Sequence, residues 1–311
     1  MFFTLEDRET PIDYKSIDEN VLTIGYVTPD ELEQFGTEFG FARSSIAACK
    51  AANKYFRSDV EVYEDYTFTE LRIANTADLK AEDDCIAIYI KKNMIILVDV
   101  ADKDGSTKRK FEAALNRYPA QNTTLEKIIY AFLDALIVND FKFIEDTGNE
   151  ITELEADVLK DNTDDDFSLD LLQLKKELLT MHNYYEQLLD FTEALEENEN
   201  DIFDSEDLMY ISNVTNKIIR LREDTDSLSN SVNHLQDAYS AFLDLKLNQT
   251  MKRFTVMTSI FFPLTLIVGW YGMNFHAMPE FAWRYGYIYV IALSALVVLV
   301  LMLIGRKRKW F

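Results

Sequence analysis

The stretch FTVMTSIFFPLTLIVGWYGMNF, Phe254 to Phe275, decides the architecture of this chain, because its first 19 residues, Phe254 to Gly272, carry no charge. A second uncharged run, Tyr285 to Gly305, follows after a short loop, and the sequence then continues through Arg306-Lys307-Arg308-Lys309-Trp310-Phe311. At roughly 1.5 Å per helical residue the two runs cover about 28 and 31 Å, against a hydrocarbon core of about 30 Å. They predict a transmembrane hairpin with spans at 254–275 and 285–305, a loop at 276–284 and a basic tail at 306–311.

Lys252 and Arg253 sit at the same end of this hairpin as the basic tail. The positive-inside bias therefore predicts a multi-pass protein of the cell membrane with both termini cytoplasmic. Gly272, Met273 and Asn274 fall at the outer mouth, beside a loop whose fixed charges are Glu280 and Arg284.

The net charge of −23 mixes two unlike parts. From Lys252 onward there are seven basic residues and one acid, whereas the first 251 residues hold 24 bases and 53 acids. That field disfavours nucleic acid and concentrates cations, although an acidic body also simply stays soluble. Cys49 and Cys85 are the only cysteines, so a disulfide framework is excluded and a reducing compartment fits. The N-terminus lacks the basic and apolar regions of a signal peptide. No P-loop and no nucleophile–base arrangement is present, so no enzymatic activity is expected.

Ahead of the spans, Val21–Val27, Val60–Phe68, Cys85–Ile90 and Met94–Val100 are rich in Val, Ile and Tyr and predict strands, the last two hinged at Lys91-Lys92-Asn93. Thr28-Pro29-Asp30-Glu31 has the form of a capping box opening a helix toward Phe39. Residues 1–122 thus predict a cytosolic α/β domain. From Asn149 to Phe262 there is neither glycine nor proline. Polar breaks at Asp161–Asp166 and Glu196–Asp204 divide this stretch. They predict an antiparallel helical pair within 123–204, with helices over about 123–160 and 168–197, and a stalk helix over 205–253 that runs into the first span.

The stalk carries two periodic faces. Ile211, Val214, Ile218, Leu221, Thr225, Leu228, Val232, Leu235, Tyr239 and Phe242 form a coiled-coil-like seam. Opposite it, Asp237, Ala241, Asp244, Asn248, Met251, Thr255, Thr258, Phe262, Thr265 and Gly269 keep the same stepping into the span. Hydroxyls facing lipid can bond back to their own helix, so Thr258 and Thr265 alone are also compatible with helix packing. The continuity of small and polar groups with the acids favours a pore, which two helices per chain can enclose only as an oligomer. Pro263 frees the Ser259 carbonyl and predicts a bend.

Tyr271-Gly272-Met273-Asn274-Phe275 followed by Met278-Pro279-Glu280, between two terminal spans and after a long helix, resembles the CorA family of magnesium channels. The resemblance implies a homopentamer in the lipid bilayer with a funnel-shaped α/β and helical body, a pore-lining first span, and no resident cofactor. It implies Mg²⁺ as cargo, with Co²⁺ and Ni²⁺ as secondary ions, and Gly272, Met273 and Asn274 as the selectivity filter. Asn248, Met251, Thr255, Thr258, Phe262, Thr265 and Gly269 become pore-lining or gate residues, with Met251 and Phe262 at hydrophobic constrictions. Asp237 and Asp244 become acidic rings and Glu280 a cation-attracting loop residue. The family's acidic regulatory pair between subunits falls here on Lys50 and Asn213, neither an acid, so that site is expected to be lost or replaced by the Lys50 ammonium.

Physical chemistry agrees with the filter assignment. Mg²⁺ sheds its waters reluctantly, so a ring of Asn274 amides offers neutral acceptors to the hydrated ion without the trap that carboxylates would make. Gly272 permits a tight turn, and Met273 is placed to pack behind it. A divalent ion gains about 4.6 kcal/mol per 100 mV of inward-negative potential, so no coupling motif is needed. Two other readings stay open: transport of another divalent metal such as Zn²⁺, and a membrane-anchored coiled-coil scaffold or sensor.

Overall fold

The computed structural model describes residues 2–5, 10–18, 20–50, 60–76, 78–79, 81–164, 166–273, 278–279 and 283–307. Asn274, His276, Glu280 and the tail from Arg308 lie outside the described residues. Two compact units are present, Met1–Leu235 and Gln236–Phe311.

The N-terminal unit is built on a six-stranded sheet: β1 (Phe2–Thr4), β2 (Thr23–Val27), β3 (Val60–Val62), β4 (Tyr66–Ile73), β5 (Asp84–Lys91) and β6 (Met94–Ala101). Its order is β1-β2-β6-β5-β4-β3, parallel only at β2–β6. Both faces are covered, which is why the strands are apolar nearly throughout. Ile86, Ile88, Ile90, Ile95 and Leu97 point to one core, and Ala87, Tyr89, Ile96 and Val98 to the other. Helices α1 (Pro29–Phe35) and α2 (Arg43–Lys50) close the second core. The first receives α3 (Ser106–Leu115), α4 (Leu125–Ile137), α6 (Phe167–Glu197) and the beginning of α7 (Leu208–Tyr271), with α5 (Asp140–Lys160) between α4 and α6 in the chain.

The capping box is present: Thr28 Oγ1 accepts from the Glu31 amide at 3.3 Å and the Glu31 carboxylate accepts from the Thr28 amide at 2.9 Å. Helix α1 ends at Phe35 rather than Phe39, just before Gly36. The strand expected over Val60–Phe68 is instead two antiparallel strands, reversing at Tyr63–Asp65, where two charged residues favour a solvated turn and the Tyr63 and Tyr66 rings stack at 4.3 Å. Asn93 takes up the left-handed conformation, φ 56°, that closes the β5–β6 hairpin.

The helix expected over 123–160 is broken at Val138-Asn139 into α4 and α5. The two halves have different burial needs. Most of α4 is buried, whereas α5 buries little beyond Asp140, Thr147, Ile151 and Val158. Asp161 and Asn198, both left-handed, end α5 and α6. The last long helix begins at Leu208 and continues as one element through Pro263 to Tyr271.

The seam on α7 is real at its start. Ile211, Val214, Ile218 and Leu221 are fully buried in the main core, and Thr225, Val232 and Leu235 are also buried. Polar links reinforce it: Lys217 Nζ donates to Asp134 Oδ1 at 2.6 Å, Arg222 pairs with Glu186 at 3.1 Å, and His182 Nδ1 lies 2.8 Å from Asp226.

In the C-terminal unit, α7 is accompanied by α8 (Gly286–Lys307). Both helices are long and apolar enough to cross a membrane. On α7, Val256 is buried and Ser259, Ile260, Pro263, Leu264 and Ile267 are partly sheltered, and Leu264 lines a cavity with Ile291, Ser294 and Val298 of α8. Trp283 meets the rings of Tyr285 and Tyr289 at the start of α8, and with the exposed Tyr287 they supply aromatic side chains suited to a membrane–water interface. The fold is the expected one: an N-terminal α/β domain, a long helix and two apolar C-terminal helices.

Candidate ion pathway

Helix α7 carries Asn248, Met251, Thr255, Thr258, Phe262, Thr265 and Gly269 on one side, and every one is exposed in the single chain. The apolar members are conspicuous, Met251 being 57% and Phe262 70% exposed. Asp237 and Asp244 continue the row toward the N-terminal unit and are exposed as well. Gly269 has open space where a Cβ would stand.

The hydroxyls on this side have defined partners. Thr255, Thr258 and Thr265 donate to the carbonyls of Met251, Phe254 and Phe261 at 2.8 to 2.9 Å. Ser259 donates to Thr255 O at 2.7 Å. Each proton is thereby consumed by the helix, and the oxygen lone pairs remain as acceptors. This matters for a hydrated cation, whose inner waters direct their protons outward and require acceptors from the wall.

At the end of the helix the Gly272 amide donates to Val268 O at 2.8 Å. A Cβ built on Gly272 would stand 2.9 Å from that same oxygen, so glycine is required here by close approach within the turn. The Met273 side chain is 45% exposed in the single chain. Asn274 and Glu280, the remaining residues expected at the mouth, fall outside the described residues.

Lys50 and Asn213 are placed separately. Lys50 ends α2 and its ammonium is held by Glu33, with Asp30 at 3.7 Å. The hydrogen bond to Glu33 leads the effects that raise its pKa. Asn213 is exposed on α7. Among the described residues no hydrogen bond joins the two.

Tertiary folding creates two charged groupings that linear reading missed. Asp84, Asp102 and Asp104 bring carboxylate oxygens within 4.8 Å of one another. These oxygens are largely engaged: Asp84 accepts from Ser106 and Thr107 at 2.7 and 3.0 Å, and Asp102 from the Lys108 amide at 2.9 Å. The second is Asp140, only 1% exposed at the start of α5, with Oδ2 unpartnered among the described residues. Burial pushes its pKa up to about 6 against the opposing pull of the Lys110 ammonium. Burial in turn lowers Lys110, which the surrounding carboxylates of Asp140, Asp84, Asp104 and Asp102 support as a cation. The signal for Asp140 in the sequence was weak, a lone acid at the edge of the apolar run of α4.

Comparison with known proteins gives these features a family context. The family model described as "CorA-like Mg2+ transporter protein" matches residues 22–307. The chain is 27% identical over 262 residues to the cobalt/magnesium transport protein CorA of Thermotoga maritima, covering 83% of this chain and 74% of that protein. It is also 27% identical over 265 residues to the putative metal ion transporter YfjQ of Bacillus subtilis, covering 82% and 79%. In fold it is similar to the CorA magnesium transporter of Methanocaldococcus jannaschii, with a TM-score of 0.77, 21% identity and coverage of 96% and 95%. Members of this family are membrane ion transporters and not enzymes. With nearly its whole length matched by the family model and the same arrangement of α/β domain, long helix and paired apolar helices, the chain belongs to the CorA-like Mg²⁺ transporter family.

Proposed function

We propose that this chain assembles as a homo-oligomer, with the pentamer of the family resemblance as the expected number, and conducts Mg²⁺ into the cell down the membrane potential. Co²⁺ and Ni²⁺ are secondary cargo. Both termini lie in the cytoplasm and no resident cofactor takes part. The observation that carries the reading is the row on α7 from Asn248 to Gly269. Small groups and hydroxyl oxygens with their protons turned back to the helix form a wall of acceptors suited to a hydrated ion. Met251 and Phe262 interrupt it as hydrophobic constrictions that gate by dewetting. Asn274 amides, presented after the turn at Gly272 and Met273, select the hydrated ion at the mouth. Glu280 draws cations toward it, and Asp237 and Asp244 hold exiting ions electrostatically.

The decisive experiment is Mg²⁺ entry into proteoliposomes containing a Mg²⁺-sensitive dye, with Co²⁺ and Zn²⁺ in parallel. Wild-type entry that Asn274→Ala abolishes supports the channel and its filter. Zn²⁺ flux without Mg²⁺ flux moves the chain to zinc transport, and absence of all flux favours a scaffold. Because Lys50 is engaged by acids of its own chain, the inter-subunit regulatory site at Lys50 and Asn213 is taken as lost. Lys50→Ala should then leave closure by internal Mg²⁺ unchanged in the same assay. Loss of closure would instead assign the Lys50 ammonium to that site.

A further inference from the structure

At the basic end of the hairpin α7 bears a groove of about 640 Å³, lined by Lys252, Arg253, Val256, Met257, Ile260 and Phe261, with Gln249 at its edge. Its composition is divided along the helix axis. The two cations come first, immediately before the uncharged run, and the apolar floor follows within the run. At about 100° per residue, the centre of the groove lies about 180° around the helix from the row containing Met251, Thr255, Thr258 and Phe262. Arg253 therefore faces away from the candidate ion pathway, and Lys252 lies about a quarter turn around the helix from it.

Two cations at one end and apolar side chains along the rest suit an occupant with a negative head and an apolar body. The only acid beyond Asp244 is Glu280, in the opposite loop, and the tail that shares this end of the hairpin is itself basic, from Arg306 to Lys309. Arg253 makes no ion pair among the described residues. Met257 and Phe261 are 57% and 65% exposed and continue the surface about two helical turns beyond Arg253. We propose that this groove binds an anionic phospholipid, with the Lys252 and Arg253 side chains on its headgroup phosphate and an acyl chain along Val256, Met257, Ile260 and Phe261. The lipid would neutralise basic side chains of α7 and the tail that otherwise repel one another, and so hold the inner ends of the two spans together.

The proposal rests on the membrane reading of the two helices but not on the ion conducted. Its test is native mass spectrometry of the full-length chain in detergent, titrated with phosphatidylglycerol or phosphatidylcholine of identical acyl chains. Two basic side chains at the site predict about a thirtyfold preference for the anionic lipid. This preference should be lost in Lys252→Gln/Arg253→Gln and kept in Lys252→Arg/Arg253→Lys, and excess inorganic phosphate should leave the lipid bound. Equal retention of both lipids, or unchanged retention by the glutamine variant, overturns the proposal. So does release of the lipid by inorganic phosphate. A glutamine variant that dissociates the oligomer without changing lipid retention also overturns it and assigns the groove to a second copy. Dye-reported Mg²⁺ uptake, measured separately, distinguishes the two readings: lipid preference without uptake rejects the channel alone, and uptake without lipid preference rejects the lipid site alone.

Discussion

Replacing Asp140 by Asn should remove a pH-dependent weakness in the N-terminal unit. The ordinary aspartate pKa is 3.8 and burial raises that of Asp140 to about 6, so the folded protein holds this proton more tightly than the unfolded chain. The stabilising contribution of the protonated group is complete below pH 3.8 and declines as pH rises. It is gone above about 6, where the carboxylate must be charged inside the core. The shift corresponds to about 3 kcal/mol across that window. Lys110 of α3 is the cation facing it, and Tyr184 and Tyr185 of α6 are buried beside it. In the Asn variant Lys110 loses a counter-charge. Asp83, Asp84 and Glu150, also raised chiefly by burial, titrate in both proteins and cancel in the comparison. Hydrogen exchange of the full-length protein in detergent, followed on peptides from the start of α5 and the middle of α6, gives the local opening free energy. Wild type should lose about 3 kcal/mol of protection relative to Asp140→Asn as pH rises through the window. Parallel pH profiles for the two proteins would refute the assignment of a buried, late-titrating carboxylate.

Asp134→Ala should loosen α7 from α4 by about 2 kcal/mol. It strands the Lys217 ammonium and Arg117 guanidinium, both 2.6 Å from the carboxylate, and exchange along the first turns of α7 reads the effect. Burial would raise the Asp134 pKa, but the Lys217 and Arg117 hydrogen bonds and charges outweigh it, and the net shift is downward. Its contribution is therefore present above the ordinary carboxylate range and lost as pH falls through the depressed value. Gly272→Ala should cost about 1 to 3 kcal/mol in the turn and lower Mg²⁺ uptake in the dye assay, because the new methyl meets Val268 O at 2.9 Å. Gly269→Ala, with open space at its Cβ, should fold and assemble normally as judged by size-exclusion chromatography.

Much of this protein is determined by sequence because the responsible forces are local. Two uncharged runs of membrane length define the hairpin however the rest folds. The capping box at Thr28 and the three–four stepping of Ile211 to Leu221 likewise depend on neighbours within a few turns. The Gly-Met-Asn tripeptide acquires meaning from its place between the spans, which composition alone establishes. Linear reading failed where burial set the outcome. Periodicity could not distinguish one helix over 123–160 from the two observed, since the break at Val138-Asn139 reflects how deeply α4, and not α5, enters the core. It could not foresee that Lys50 is claimed by Glu33 and Asp30 of the neighbouring helix, nor that Asp140 is enclosed beside Lys110. Helix and strand periods are written along one dimension, whereas the fate of a charge depends on which distant groups replace its water, and that only the tertiary structure decides.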